Sequence, residues 1–230
     1  EDVIRDSVAS RGLGDVYKRQ FQGTVDFGAG NVTSAGNADV FVTKLNSSGA
    51  HQWPTTFGGT GYDTADGVAV DDSGNVHVAG WFTGTVDFGA GDVTSNGGTD
   101  VFVTKLNSSG VHQWTTTFGG TLTGNDDFGG PVAVDSSGNV YATGYFTGTV
   151  DFGAGNVSSN QINASYNKAM FVTKLNSSGA HQWTTTTDSN LNDFGSTVAV
   201  DGSGNVYATG YTKAIMGSYK EGFVTKLNSV

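Results

Sequence analysis

Apolar and polar residues alternate along most of this chain in short runs separated by turn-forming clusters, the pattern of half-buried β-strands. Val76, Val78 and the small Gly80 fall on one face at period two, and the run Val68 to Asp71 precedes them across a turn made of Asp72, Ser73, Gly74 and Asn75. In such a turn an Asp or Ser side chain caps the backbone, and Gly74 takes a positive φ that a Cβ would resist. Further along, Phe102, Thr104 and Leu106 share one face opposite Val101, Val103 and Lys105. The turn Asn107 to Gly110 then leads into a last strand, from Val111 to about Phe118, that carries Trp114 and a β-favouring run of Thr. The predicted unit is four short antiparallel strands.

That unit recurs. The block FVTKLN begins at Phe41, Phe102, Phe171 and Phe223; VAVD-x-SGNV begins at Val68, Val132 and Val198; GTVDFGAG begins at Gly23, Gly84 and Gly148. Three blocks returning in one order, with a period of about 60 residues, predict an all-β propeller of four-stranded antiparallel blades. A lone blade with two apolar faces buries both only by stacking on neighbours. Phe102 and Trp114 are expected between blades, each worth about 2 kcal/mol through burial. The blocks mark a blade remnant over 21–58, whole blades over 62–118 and 128–187, and an incomplete blade over 194–230: about three blades of a partial propeller. Edge pairing with remaining blades of a parent chain is expected at the open ends. In the last unit GTVDFGAG is missing, and TKAIMGSYKEG shortens the connection before Phe223.

Composition narrows the function classes. The 230 residues include 36 Gly but only 2 Pro, and 14 Phe with 8 Tyr supply a core. With no Cys, disulfides and thiolate metal sites are excluded. A net charge of −10 argues against a nucleic-acid partner, which needs clustered Lys and Arg. No apolar run approaches the ~18 residues of a membrane span, so no membrane span is expected. Residues 1–20 contain all three arginines (Arg5, Arg11, Arg19), and the only methionines are Met170 and Met216. That break in composition, and a resemblance to translated adapter sequence, lead us to expect a non-native leader outside the fold. Within it GDVYKRQFQG lies where later repeats read GNVYATGYFTG, so a poor strand is also compatible with it.

Candidate chemistry is sparse. Asp71, Ser73 and Asn75, with their counterparts Asp135, Ser137, Asn139 and Asp201, Ser203, Asn205, have the spacing of oxygen ligands but lack the Gly at the sixth position and the acidic residue at the twelfth of a calcium loop. Asx-type capping is the simpler reading, and no metal or cofactor is assigned. His51, His112 and His181 precede Gln and Trp once per unit; without a nucleophile elbow or a zinc-binding helix motif they read as outer-strand residues, and no catalytic residue is assigned. Asp26, Asp87 and Asp151 recur in a long loop between the second and third strands, and Trp53, Trp114 and Trp183 recur in the last strand. These six are the candidate ligand-binding residues: the tryptophans suit sugar rings or anchors between blades, and the aspartates suit a shared rim or loop architecture.

The blocks VAVDSSGNVYATGYFTGTVDFGAG and FVTKLNSSGAHQW resemble the seven-bladed β-propeller repeat family of bacterial surface proteins, over essentially all of residues 21–230. The resemblance implies a propeller that is exported, extracellular or at the cell surface, often beside adhesive modules, with no agreed catalytic residues. The expected function is a non-enzymatic structural or adhesive scaffold, with variable loops such as Thr121 to Asp127 and Asn160 to Lys168 presenting recognition surfaces to a protein or glycan partner. The alternative is a carbohydrate-binding propeller with weak repeated sites; a propeller hydrolase or lyase would rest on fold analogy alone.

Overall fold

The computed structural model describes residues 8–9, 16–121, 126–162, 165–187, 189, 191–213 and 220–227. Among them there is no helix, and the main sheets are four antiparallel blades whose strands lie in chain order. Blade 1 comprises Val8–Ala9, Val16–Phe21, Asp39–Leu45 and His51–Phe57. Blade 2 comprises Thr64–Val70, Val76–Asp87, Asp92–Leu106 and His112–Phe118. Blade 3 comprises Phe128–Val134, Val140–Thr147, Lys168–Leu175 and His181–Thr187. Blade 4 comprises Asn192–Val200, Val206–Lys213 and Lys220–Leu227. Each FVTKLN segment is the third strand of its own sheet, as the repeat requires.

The first sheet differs from expectation. Val16–Phe21, mostly inside the segment read as a leader outside the fold, pairs with Asp39–Leu45 from Val16↔Lys44 to Phe21↔Asp39, and Val8–Ala9 pairs with it in turn. Blade 1 is thus four-stranded among the described residues, not a two-stranded remnant. The physical reason is that backbone groups do the pairing, so a strand with poor side chains still completes the ladder. Val16–Phe21 is one residue shorter than Val76–Phe82, however. Phe21 keeps the place of Phe82 opposite the buried aspartate of the third strand, and Val16 therefore falls where His77 stands in blade 2.

The block GTVDFGAG, expected as a loop, is a β-hairpin. Thr24–Asp26 pairs with Asn31–Thr33, and Thr149–Asp151 with Asn156–Ser158; in blade 2 the same hairpin continues the second and third strands through Thr85↔Thr94 to Asp87↔Asp92. The hairpin folds back over its own sheet, so that Gly89 meets His112 at the far end of the blade. We call it the flap.

Among the described residues, three hydrophobic cores lie between successive blades. Val40, Val42 and Phe57 of blade 1 pack with Val76, Val78, Phe82, Val86, Phe88 and Phe102 of blade 2. Val101, Val103 and Phe118 meet Val140, Phe146, Phe152 and Phe171 across the second junction, and Met170 and Val172 meet Val198 and Val206 across the third. Because Val101 and Phe102, adjacent in one strand, enter different cores, both faces of that sheet are buried. The first strands of blades 2, 3 and 4 pack on one another in turn, which places them on the inner side of the stack.

Candidate functional site

The two rims of the stack are built differently. One rim carries the Asx turns. Asp71 Oδ1 accepts the N–H groups of Ser73 and Asn75 at 3.0 and 2.9 Å, and its Oδ2 accepts Asn75 Nδ2 at 2.8 Å. Asp135 and Asp201 repeat the arrangement, and Tyr141 and Tyr207 donate their hydroxyls to the same carboxylates at 3.0 and 3.2 Å. His77 holds the tyrosine's position in blade 2, fully buried, with Nε2 3.3 Å from Asp71 Oδ2. Burial pushes the His77 pKa down. These carboxylates are consumed by turn geometry.

Two of the candidate tryptophans lie between blades. Trp53 Nε1 donates to the carbonyl of Ser108 in the next blade at 3.1 Å, beside Thr55 Oγ1 donating to Gly110 O at 2.9 Å. Trp114 does the same to Ser177, with Thr116 donating to Gly179. A Cβ on Gly110 or Gly179 would stand 2.7 Å from the indole, so these glycines lie flat on the rings. The rings therefore latch one blade to the turn of the next. Trp183 packs against the third core and stands 6.2 Å from Tyr141.

Asp26, Asp87 and Asp151 are exposed at the flap tips. One oxygen of each accepts two glycine N–H groups, at 2.7 and 2.9 Å for Asp87, and these bonds hold all three carboxyls below their usual range. The flaps rest on His51, His112 and His181, which are half-buried beneath them and not the surface residues that their place in the outer strand suggested. His112 and His181 bond Thr115 and Thr184 at 2.9 Å. In blade 1 Pro54 replaces that threonine, and His51 Nε2 is buried without a partner.

The opposite rim holds what the sequence reading missed. Asp63 and Asp127, each 1% exposed, tie the segment entering a blade to its second strand: Asp127 accepts Gly120 N and Thr147 N at 2.9 Å. Asp39 and Asp100 stand opposite them on the preceding third strands, and Asp100 Oδ1 is buried with no partner. Burial, reinforced by the neighbouring Asp127 charge, pushes Asp100 up to about 7; Asp63 and Asp127 rise to about 6.

Beside these aspartates runs a ladder of five half-buried rings crossing three blades. Trp81 meets Phe128 edge-on at 5.0 Å, Phe128 stacks on Tyr145 at 5.0 Å, Tyr145 meets Phe194 at 4.9 Å, and Phe194 stacks on Tyr211 at 4.8 Å. Phe128 and Phe194 sit on first strands directly across from Tyr145 and Tyr211 on second strands. Lys168 lies over Tyr145 at 4.3 Å and Phe194 at 5.3 Å, a cation held against ring faces while burial lowers its pKa. Spacings of Phe four before VAVD and Tyr five after SGNV's valine are visible in the sequence, but only the fold shows that they meet. Among the described residues there is no group of three or more His, Cys, Asp or Glu able to hold a metal, and no helix long and apolar enough to cross a membrane.

Three four-stranded sheets and a three-stranded one among the described residues, stacked face to face through hydrophobic cores, define a propeller-type repeat protein. Residues 182–215 match the family model of the beta-propeller repeat. The chain is also 28% identical over 174 residues to an uncharacterized WD repeat-containing protein of Acanthamoeba polyphaga mimivirus. That match covers 69% of this chain but 12% of the viral protein's length.

Proposed function

We propose that this chain is a non-enzymatic interaction scaffold whose ligand-facing element is the aromatic ladder, and that it serves in an adhesive role on an exported protein. The observation that carries the reading is the ladder itself. Five large rings are left half-exposed in one line, where burial elsewhere in the chain is nearly complete for Phe82, Phe102, Phe146 and Phe171. Large aromatic side chains are the residues enriched at interface hot spots. The likeness to a WD repeat-containing protein supports a scaffold, and the resemblance to bacterial surface repeats supports export. A photo-crosslinking phenylalanine analogue at Tyr211 tests it on the full chain in its host. A discrete adduct that disappears with Tyr145→Ser, while the fold is retained, is expected. The same adducts with and without Tyr145 would refute it.

The second reading, weak sugar sites repeated once per blade, is favoured by the exposed carboxylates of Asp26, Asp87 and Asp151. The latched indoles of Trp53 and Trp114 count against it. Glycan-array binding lost on Asp87→Asn, with the fold intact, would favour it over the scaffold.

A further inference from the structure

Blades 1 to 3 carry the same cross-strand row near the Asx-turn rim: one residue of the second strand, a lysine of the third and the tryptophan of the fourth. In blade 2 the row is His77, Lys105 and Trp114, and in blade 3 it is Tyr141, Lys174 and Trp183. In blade 1 it is Val16, Lys44 and Trp53.

The lysine finds a partner in the other blades. Lys44 Nζ donates to Ser108 O at 3.2 Å, Lys174 lies over the Tyr141 ring at 5.4 Å, and Lys226 lies over Tyr207 at 5.5 Å. Blade 2 supplies neither kind of contact. Its second-strand residue is His77 in place of Tyr, and the carbonyl of Ser177, which corresponds to that of Ser108, receives the indole of Trp114. Lys105 is left with an approach of 3.6 Å to Asp71 Oδ2, beyond hydrogen-bond reach, although its side chain is only 14% exposed. That oxygen already receives Asn75 Nδ2 at 2.8 Å and stands 3.3 Å from His77 Nε2. An ammonium withdrawn from water without a hydrogen bond is costly unless water or a ligand supplies the acceptor.

Lys105 lines a cavity of about 180 Å³ between the turns of blades 2 and 3, with Asp72 and Asn75 on one side and Ser136, Ser137 and Ser177 on the other. The segments that form it, 71–77, 102–114, 135–141 and 172–181, lie wholly within the described residues, and no hydrophobic side chain among those residues lines it. The volume is the share of about six waters at ~30 Å³ each, room for a small polar molecule.

The charges on the wall select among such molecules. Asp72 is exposed, accepts no hydrogen bond among the described residues and forms no ion pair with Lys105. The wall thus holds a weakly paired cation and an unpaired anion. A simple anion would meet Asp72, a simple cation would meet Lys105, and a neutral polyol would leave both charges uncompensated. A molecule carrying a carboxylate and an ammonium compensates both, and the serine hydroxyls complete its hydrogen bonds.

We propose that the cavity between the turns of blades 2 and 3 is a binding site for a small zwitterion of the amino-acid class, its carboxylate on Lys105 and its ammonium toward Asp72. The site uses neither the aromatic ladder nor the flap tips, so it stands or falls apart from the scaffold and sugar readings.

Titration of the isotope-labelled full chain with glycine, followed by amide NMR, tests it, with acetate, methylammonium and glycerol as comparison probes. Saturable shifts at the amides of Asn75, Ser137 and Gly138 are expected with glycine, and weaker binding with the other three. Lys105→Met, which keeps the stem and removes the charge, should weaken glycine binding about tenfold, the loss of one hydrogen bond to a charged group. Asp72→Asn, on an exposed turn, should weaken it a few-fold, and Lys174→Met, the same position one blade on, should leave it unchanged; far-UV circular dichroism checks that each variant is folded. No saturable shift with glycine, binding undiminished by both Lys105→Met and Asp72→Asn, or acetate, methylammonium or glycerol binding as tightly as glycine overturns the proposal.

Discussion

Replacing Phe88 by Ala removes the plug of the first junction. Phe88 is 3% exposed and sits among Phe57, Phe82 and Phe102. Truncating a buried Phe costs about 3–5 kcal/mol, and the edge and tilted ring pairs lost with it place this site in the upper half of that range. Phe27 is the same residue of the blade 1 flap, but it is half-buried, and among the described residues its ring pairs with Phe21 and Phe41. Phe27→Ala should therefore cost about half as much, since the area withdrawn from water is smaller. Urea unfolding followed by far-UV circular dichroism, with tryptophan emission as a second probe, measures both. Blades unfold as coupled neighbours, so the two probes need not coincide, and midpoints are compared probe by probe. If Phe88→Ala lowers stability by less than Phe27→Ala, or by under about 1 kcal/mol, the flap is not the filling of the junction.

Two further substitutions test the latch and the buried carboxylates. Gly110 and Gly91 both hold positive φ, 81° and 105°, and a Cβ at Gly91 meets open space while one at Gly110 meets Trp53. Gly91→Ala should cost the backbone term of about 1–2 kcal/mol alone, and Gly110→Ala should exceed it and shift Trp53 emission to the red; equal costs would refute the latch. Asp100 holds a proton in the folded chain that the unfolded chain releases from near pH 4 upward, so its contribution to stability is present at low pH and lost as pH rises toward about 7. His77, depressed by burial, acts in the opposite sense below its ordinary value, so Asp100→Asn is the comparison that isolates the carboxylate. The variant should gain stability relative to wild type between pH 4 and 8 by up to a few kcal/mol, read from thermal midpoints, and parallel pH profiles would contradict it.

The parts of the fold legible in the sequence are those where local chemistry and repetition coincide. The turn of Asp71 to Asn75 is written in its own residues, because a carboxylate accepting the N–H groups two and four residues on needs no partner from elsewhere. The third strand, with Val101 and Phe102 facing opposite ways, carries its two-sided burial openly. The flap was missed because Asp87, Gly89 and Gly91 look like loop residues, while the alternation that pairs Thr85 with Thr94 lies on either side of them. Val16–Phe21 was misjudged because its arginine and lysine say nothing about backbone pairing, which is what places it. The ladder was not legible locally at all, because Phe128 meets Trp81 of another blade.

The central claim is that each unit forms its own sheet and that consecutive sheets stack face to face. Lys44 Nζ reaches Ser108 O of the next blade at 3.2 Å, and Ser177 is the same turn one blade further on. In this cysteine-free chain, Lys44→Cys paired with Ser108→Cys should be joined rapidly by a short bismaleimide, and Lys44→Cys paired with Ser177→Cys should not. Efficient joining of both pairs, or of neither, would contradict the stack.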